Sequence, residues 1–138
     1  MQQTDERECM QVDDREPPVV LLAEDHEDTR RVYGFVLRHF GYRVAEATNG
    51  YDAVEMARTC RPKLVLMDIG LPGIDGWQAS RILKADPETT SIPLIAFSAR
   101  VDSTDDLAER QTFDGYIVKP VSPMELVRRV NAYVELLS

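Results

Sequence analysis

Several things are scarce in this 138-residue sequence, and each scarcity excludes something. Cysteine occurs twice, as Cys9 and Cys60. Two such residues make neither a disulfide framework nor a thiolate metal cluster, and both read as free thiols of a reducing compartment. No stretch reaches the ~18 consecutive apolar residues of a membrane span, and no basic start, apolar run and small-residue cleavage site mark a secretory signal. The expected home is the cytoplasm, away from membranes. A basic excess is also missing. The net charge is −8, and half of it falls in residues 1–16, where Asp5, Glu6, Glu8, Asp13, Asp14 and Glu16 face only Arg7 and Arg15. The remainder carries a mild acidic excess, which gives no electrostatic footprint for direct binding of nucleic acid. No internal repeat or low-complexity linker interrupts the chain.

What is present suits one globular domain: 43% hydrophobic and 29% charged residues, on a chain long enough for a single core. Residues 1–16 are polar and aperiodic, and read as a flexible acidic tail that cannot offset the entropy cost of ordering. From Val19 the pattern becomes regular. VVLLA (Val19 to Ala23) is a continuous apolar run, as in a strand buried on both faces of a parallel sheet. Asp28 to Phe40 switches to a helical period, with Val32, Phe35, Val36 and Phe40 on one stripe and Gly41 at the stop. RVAEA (Arg43 to Ala47) predicts a second strand, and Gly50 to Cys60 a helix closed by Pro62. LVLM (Leu64 to Met67) is a third strand, followed by the turn-rich LPGIDG and a helix from about Trp77 to Ala85. PLIAF (Pro93 to Phe97) and YIV (Tyr116 to Val118) complete five strands. Between them Ser103 to Thr112 predicts a helix weakly anchored by Leu107 and Ala108, and Val127, Val130, Val134 and Leu137 mark a closing amphipathic helix. Five strands alternating with five helices imply an α/β fold: one doubly wound, flavodoxin-like parallel sheet.

In such a sheet, chemistry gathers at the carboxyl ends of the strands. The first strand ends in Glu24-Asp25, the third in Asp68, the fourth in Ser98 and the fifth in Lys119-Pro120. The second ends in Ala47 and contributes nothing, as fits an edge strand in the order 2-1-3-4-5. Three converging carboxylates repel one another, and a hard divalent cation relieves this. Mg²⁺, which takes oxygen ligands, suits Glu24, Asp25 and Asp68, whereas zinc finds only His26 nearby. A strand-end carboxylate beside a metal and a lysine is also the arrangement for an aspartyl-phosphate. Asp68 is then the nucleophile, Lys119 and the Ser98 hydroxyl partner phosphoryl oxygens, and the small Ala99 leaves room for the group to enter.

These residues bring out a resemblance. The acidic pair Glu24-Asp25, LVLMDIGLPGIDGW around Asp68, the Ser98-Ala99 step and Tyr116-Ile-Val-Lys119-Pro120 resemble a single-domain receiver of two-component response regulators, over residues 19 to 137. The resemblance implies a receiver domain over 17–138 after the tail, with no output domain. It implies Mg²⁺-dependent phosphoryl transfer to Asp68 from a histidine kinase or histidine phosphotransfer protein, with the Gly70 backbone carbonyl as a further metal ligand. It also implies a switch in which Ser98 moves toward the phosphate and Tyr116 turns inward. That switch remodels the face of the fourth helix, fifth strand and fifth helix, through which a downstream protein, a relay partner or a second copy can bind. The Lys119-Pro120 bond resembles the family's cis peptide. Gly70 and Arg100 occupy positions that tune phosphate lifetime. The domain is thus expected to be a phosphoacceptor rather than an enzyme, with at most self-catalysed phosphorylation and dephosphorylation. Two other readings compete. One is an unphosphorylated interaction module. The other is a haloacid-dehalogenase-type phosphatase, which Gly70 disfavours because such enzymes resemble DxD at the nucleophile.

Overall fold

The computed structural model describes residues 17–99 and 112–136. The expected tail (1–16), Cys9, Arg100, Leu107, Ala108, Leu137 and nearly all of the expected helix over 103–112 lie outside this range. Nine elements are described: β1 (Val19–Ala23), α1 (Glu27–His39), β2 (Arg43–Ala47), α2 (Gly50–Cys60), β3 (Leu64–Met67), α3 (Gly76–Ala85), β4 (Leu94–Ser98), β5 (Gly115–Val118) and α4 (Pro123–Leu136). Four helices are therefore found among the described residues where the sequence predicts five, and Thr112 itself stands in a turn. The strands form one sheet in the order β2-β1-β3-β4-β5, with every pairing parallel.

The strands read as unbroken apolar runs because both of their faces are covered. Val19, Leu21 and Ala23 enter one core with Val65, Met67, Leu94 and Ala96, against Ala53, Val54 and Ala57 of α2 and Ala79 and Leu83 of α3. Val20 and Leu22 point the other way, joining Leu64, Leu66, Ile95, Phe97 and Ile117 against Tyr33, Val36 and Leu37 of α1 and Leu126, Val127 and Val130 of α4. Successive side chains on a strand face opposite sides, so one continuous run supplies two cores.

One helical face differs from expectation. Val36 is buried, but Val32, Phe35 and Phe40 are exposed, Phe35 by 68%, and α1 turns Tyr33, Gly34 and Leu37 inward instead. A 3.6-residue period fixes the spacing of a stripe without fixing its phase when two apolar stripes overlap. Contacts with the sheet decide between them. Gly34 passes so close to β2 that an added Cβ would lie 3.2 Å from Glu46 Oε2, and Tyr33 packs edge-on to Phe97.

Other boundaries follow local chemistry. Gly41 ends α1 at φ +104°, a value open to glycine. Asn49 caps α2 by accepting the Asp52 N–H, and Asp75 and Gln78 form a reciprocal capping box at the start of α3. Cys60 is disulfide-bonded, against the expectation of free thiols. The Val19 carbonyl accepts the Lys63 N–H, so the chain enters β1 beside the α2–β3 turn that follows Cys60. Sequence separation hides that proximity.

Candidate functional site: an acidic rim with a lysine

The site is assembled by hydrogen bonds that carry the ladder one residue past each strand. The Glu24 N–H donates to Ala47 O at 2.9 Å and the Asp68 N–H to Ala23 O at 3.0 Å, so Asp68 leaves β3 beside the Glu24-Asp25 step. On the next strand pair the Lys119 N–H donates to Ser98 O at 3.1 Å. Carboxylate oxygens of Glu24, Asp25 and Asp68 consequently lie within 4.8 Å of one another. The Lys119 ammonium reaches in from β5, 2.5 Å from Glu24 Oε1 and 3.6 Å from Asp68 Oδ2.

The three carboxylates occupy different surroundings. Glu24 is 1% exposed, and its second oxygen accepts the His26 N–H at 3.1 Å. Asp25 is exposed at the rim, and Asp68 lies between these extremes. A buried carboxylate needs charge and hydrogen-bond partners, and Lys119 and His26 meet that need for Glu24. One ammonium against three carboxylates leaves an excess of negative charge. The donors are all hard oxygens, as a Mg²⁺-sized cation requires and as soft metals do not. These residues therefore fit a divalent hard cation.

The loop behind Asp68 is held tightly. Asp68 Oδ1 accepts the Gly70 N–H at 3.1 Å, and the Gly76 N–H donates to Ile69 O at 2.8 Å. A Cβ on Gly76 would sit 2.5 Å from Asp68 O, closer than a Cβ approaches a backbone oxygen, so only glycine lets α3 start this near the Asp68 backbone. A Cβ on Gly70, by contrast, would meet open space. Together with the exposed Ala99, this leaves room at the opening.

Glu24, Asp25, Asp68 and Lys119 are thus brought together. Ser98 ends β4, buried and paired in register with Val118, next to the backbone of Lys119. Tyr116 lies back along β5, paired with Ala96. Its ring is 6.1 Å from Phe113, packed against the core on the α2 and α3 side, and its carbonyl accepts from Arg129 at 2.7 Å. The Lys119-Pro120 bond is cis. His26 is the N-cap of α1 and makes no side-chain capping bond. Trp77 packs edge-on to Phe113.

Other contributors escape the sequence reading. Arg30 donates to the Glu24 carbonyl at 3.0 Å and to Glu46 Oε1 at 3.2 Å, tying the end of β1 to the edge strand. Tyr33 grips the turn after Lys119, and the Phe97 ring lies 5.3 Å from the Lys119 ammonium. Arg30 and Tyr33 look like ordinary helix residues and Phe97 like a core residue. Their spacing from the rim residues carries no motif, and only the fold brings them near.

Comparison with known proteins agrees with this geometry. The response regulator receiver domain family matches residues 20–131. The chain is 37% identical over 114 residues to protein PilH of Pseudomonas aeruginosa, covering 82% of this chain and 94% of that one. It is 34% identical over 119 residues to the polar-differentiation response regulator DivK of Brucella anthropi, covering 86% and 97%. Among solved structures, it superposes with a TM-score of 0.80 on the receiver domain of a sensor histidine kinase from Pseudomonas aeruginosa, at 32% identity over 86% of this chain and 98% of that one. That structure has a magnesium ion coordinated in its active-site cleft.

Proposed function

The chain belongs to the response regulator receiver domain family, and from that premise we propose that it is a switch that stores a phosphoryl group on Asp68. The observation that carries this reading is the cluster itself: three carboxylates within 4.8 Å, with the Lys119 ammonium 3.6 Å from Asp68.

In the proposed reaction an Asp68 carboxylate oxygen attacks the phosphorus of a phosphohistidine on a kinase or phosphotransfer partner. The new P–O bond gives an acyl phosphate, the P–N bond breaks, and the imidazole departs with its electron pair and takes up a proton. Lys119 offers its ammonium to a phosphoryl oxygen, and the Ser98 hydroxyl donates to another. Glu24, Asp25, Asp68 and the Gly70 carbonyl would hold Mg²⁺, which supplies positive charge against the phosphoryl oxygens when bound. The small Gly70 and Ala99 leave the approach open to the phosphodonor. The chemistry is stoichiometric, with at most self-catalysed gain and hydrolysis of the phosphoryl group.

The output proposed is a change in protein contacts. Ser98 and Tyr116 respond to the phosphoryl group and alter the surface of β5 and α4, where Val118 and Met124 are exposed. A downstream protein, a relay partner or a second copy docks there. In support of an output through protein contacts, PilH and the response regulator DivK are matched over nearly their whole length.

Intact mass after incubation with acetyl phosphate and Mg²⁺ tests the reading. Wild type should gain one phosphoryl group and Asp68→Asn none, with a parallel change in Trp77 fluorescence. A wild type that gains nothing from acetyl phosphate or from a cognate kinase, or an Asp68→Asn variant that gains as much, contradicts it.

A further inference from the structure

We propose that Tyr33 of α1 is a positioning residue for Lys119, a role that rests on the phosphoacceptor reading above. The Tyr33 hydroxyl accepts the Val121 N–H at 3.1 Å and donates to the Val121 carbonyl at 3.2 Å. One phenol thus holds both backbone polar groups of the residue two places beyond Lys119. The position matters because Pro120 has no N–H to give. The sheet ladder ends with the Lys119 N–H on Ser98 O, and the bonds of α4 begin with the Leu126 N–H on Ser122 O. Tyr33 bridges the stretch between them.

A second contact leads to the same ammonium. The Tyr33 ring meets the Phe97 ring edge-on, with centroids 5.0 Å apart, and the Lys119 Nζ lies 5.3 Å from the centroid of Phe97. Tyr33 is buried with Phe97 in the core on the α1 and α4 side. It therefore supports Lys119 from behind through the backbone and from below through an aromatic face that favours a cation. The backbones of Glu24 and Asp68 are held by their own ladder bonds at the ends of β1 and β3, to Ala47 O and Ala23 O, and do not depend on this brace. Tyr33 should thus act mainly on the lysine limb of the site.

Tyr33→Phe keeps the ring and removes the two hydrogen bonds. At saturating Mg²⁺, phosphoryl uptake from acetyl phosphate should fall about fivefold, the scale of one net hydrogen bond. The half-saturating Mg²⁺ concentration, read from Trp77 fluorescence, should stay within about twofold of wild type. This split separates positioning of Lys119 from a general loosening of the fold. Uptake at the wild-type rate, an equal loss of Mg²⁺ affinity, or a variant that does not fold would each overturn the proposal. If wild type itself gains no phosphoryl group, the phosphoacceptor reading fails instead.

Discussion

Glu24 shows at the scale of one residue how the rim is balanced. Its carboxylate is almost fully buried, with one oxygen on Lys119 and the other on the His26 N–H. Removing one partner of a buried ion pair leaves an uncompensated charge, which costs about 3 kcal/mol. Lys119→Ala should therefore lower stability by about that much in the absence of divalent ions, as measured by urea unfolding. Added Mg²⁺ should restore more stability to Lys119→Ala than it adds to wild type, because it supplies positive charge where the ammonium was. Asp25 is the exposed member of the cluster, and Asp25→Asn should weaken Mg²⁺ binding at least about tenfold in a fluorescence titration, the scale of ~1.4 kcal/mol. An unchanged titration would remove Asp25 from the metal site. Glu24, Asp25, Asp68 and Lys119 were legible in the sequence because each follows a strand run directly. Arg30 and Tyr33 were not, because they reach the site across helix–sheet contacts that no local spacing records.

Among the elements, α3 has the most direct link to chemistry. Its first residue, Gly76, leaves no space for a side chain against the Asp68 backbone, so Gly76→Ala should cost about 1–3 kcal/mol through overpacking. The same variant should slow phosphoryl uptake, because the backbone that must yield carries Asp68. Wild-type uptake by a folded Gly76→Ala would show that the loop tolerates displacement. The other end of α3 is tied to α2 by Asp86, whose carboxylate accepts the Glu88 N–H at 2.9 Å and the Arg58 Nε–H at 3.0 Å. The Glu88 N–H, and then Arg58, hold the Asp86 carboxyl below the usual carboxylate range. A carboxyl depressed in the fold stabilises above its unfolded value of ~3.9 and loses that contribution as pH falls through the folded value. Asp86→Asn should therefore be less stable than wild type at neutral pH, and the difference should vanish in acid below the usual carboxylate range. A difference that persists there would rule out the carboxylate as its cause. The strands were legible because burial on both faces demands continuous apolar runs. The phase of α1 was not, since Val32 and Phe35 compete with Tyr33 and Leu37, and packing of Tyr33, Val36 and Leu37 against the sheet decides it only once the strands lie beneath.

For the molecule as a whole, the parallel sheet gathers charge at the carboxyl ends of its strands while its two cores hold those ends in place. Leu66 lies in the middle of this arrangement, fully buried, and Leu66→Ala should cost about 2–5 kcal/mol in transfer and cavity terms. No helix among the described residues is long and apolar enough to cross a membrane. The fold and rim were readable as a whole because four short motifs sit in order, each at its own strand end. The disulfide at Cys60 was not readable, since two cysteines in a sequence do not show whether their thiols are joined. The central claim is that Asp68 carries the phosphoryl group. Its most direct test is to treat the protein with acetyl phosphate and Mg²⁺, reduce the acyl phosphate with borohydride, and map the modified peptide by mass spectrometry. The account predicts a single modified position, Asp68, and no modification when Mg²⁺ is chelated. Modification at another residue, or none at Asp68 in protein whose intact mass shows a phosphoryl group, would contradict it.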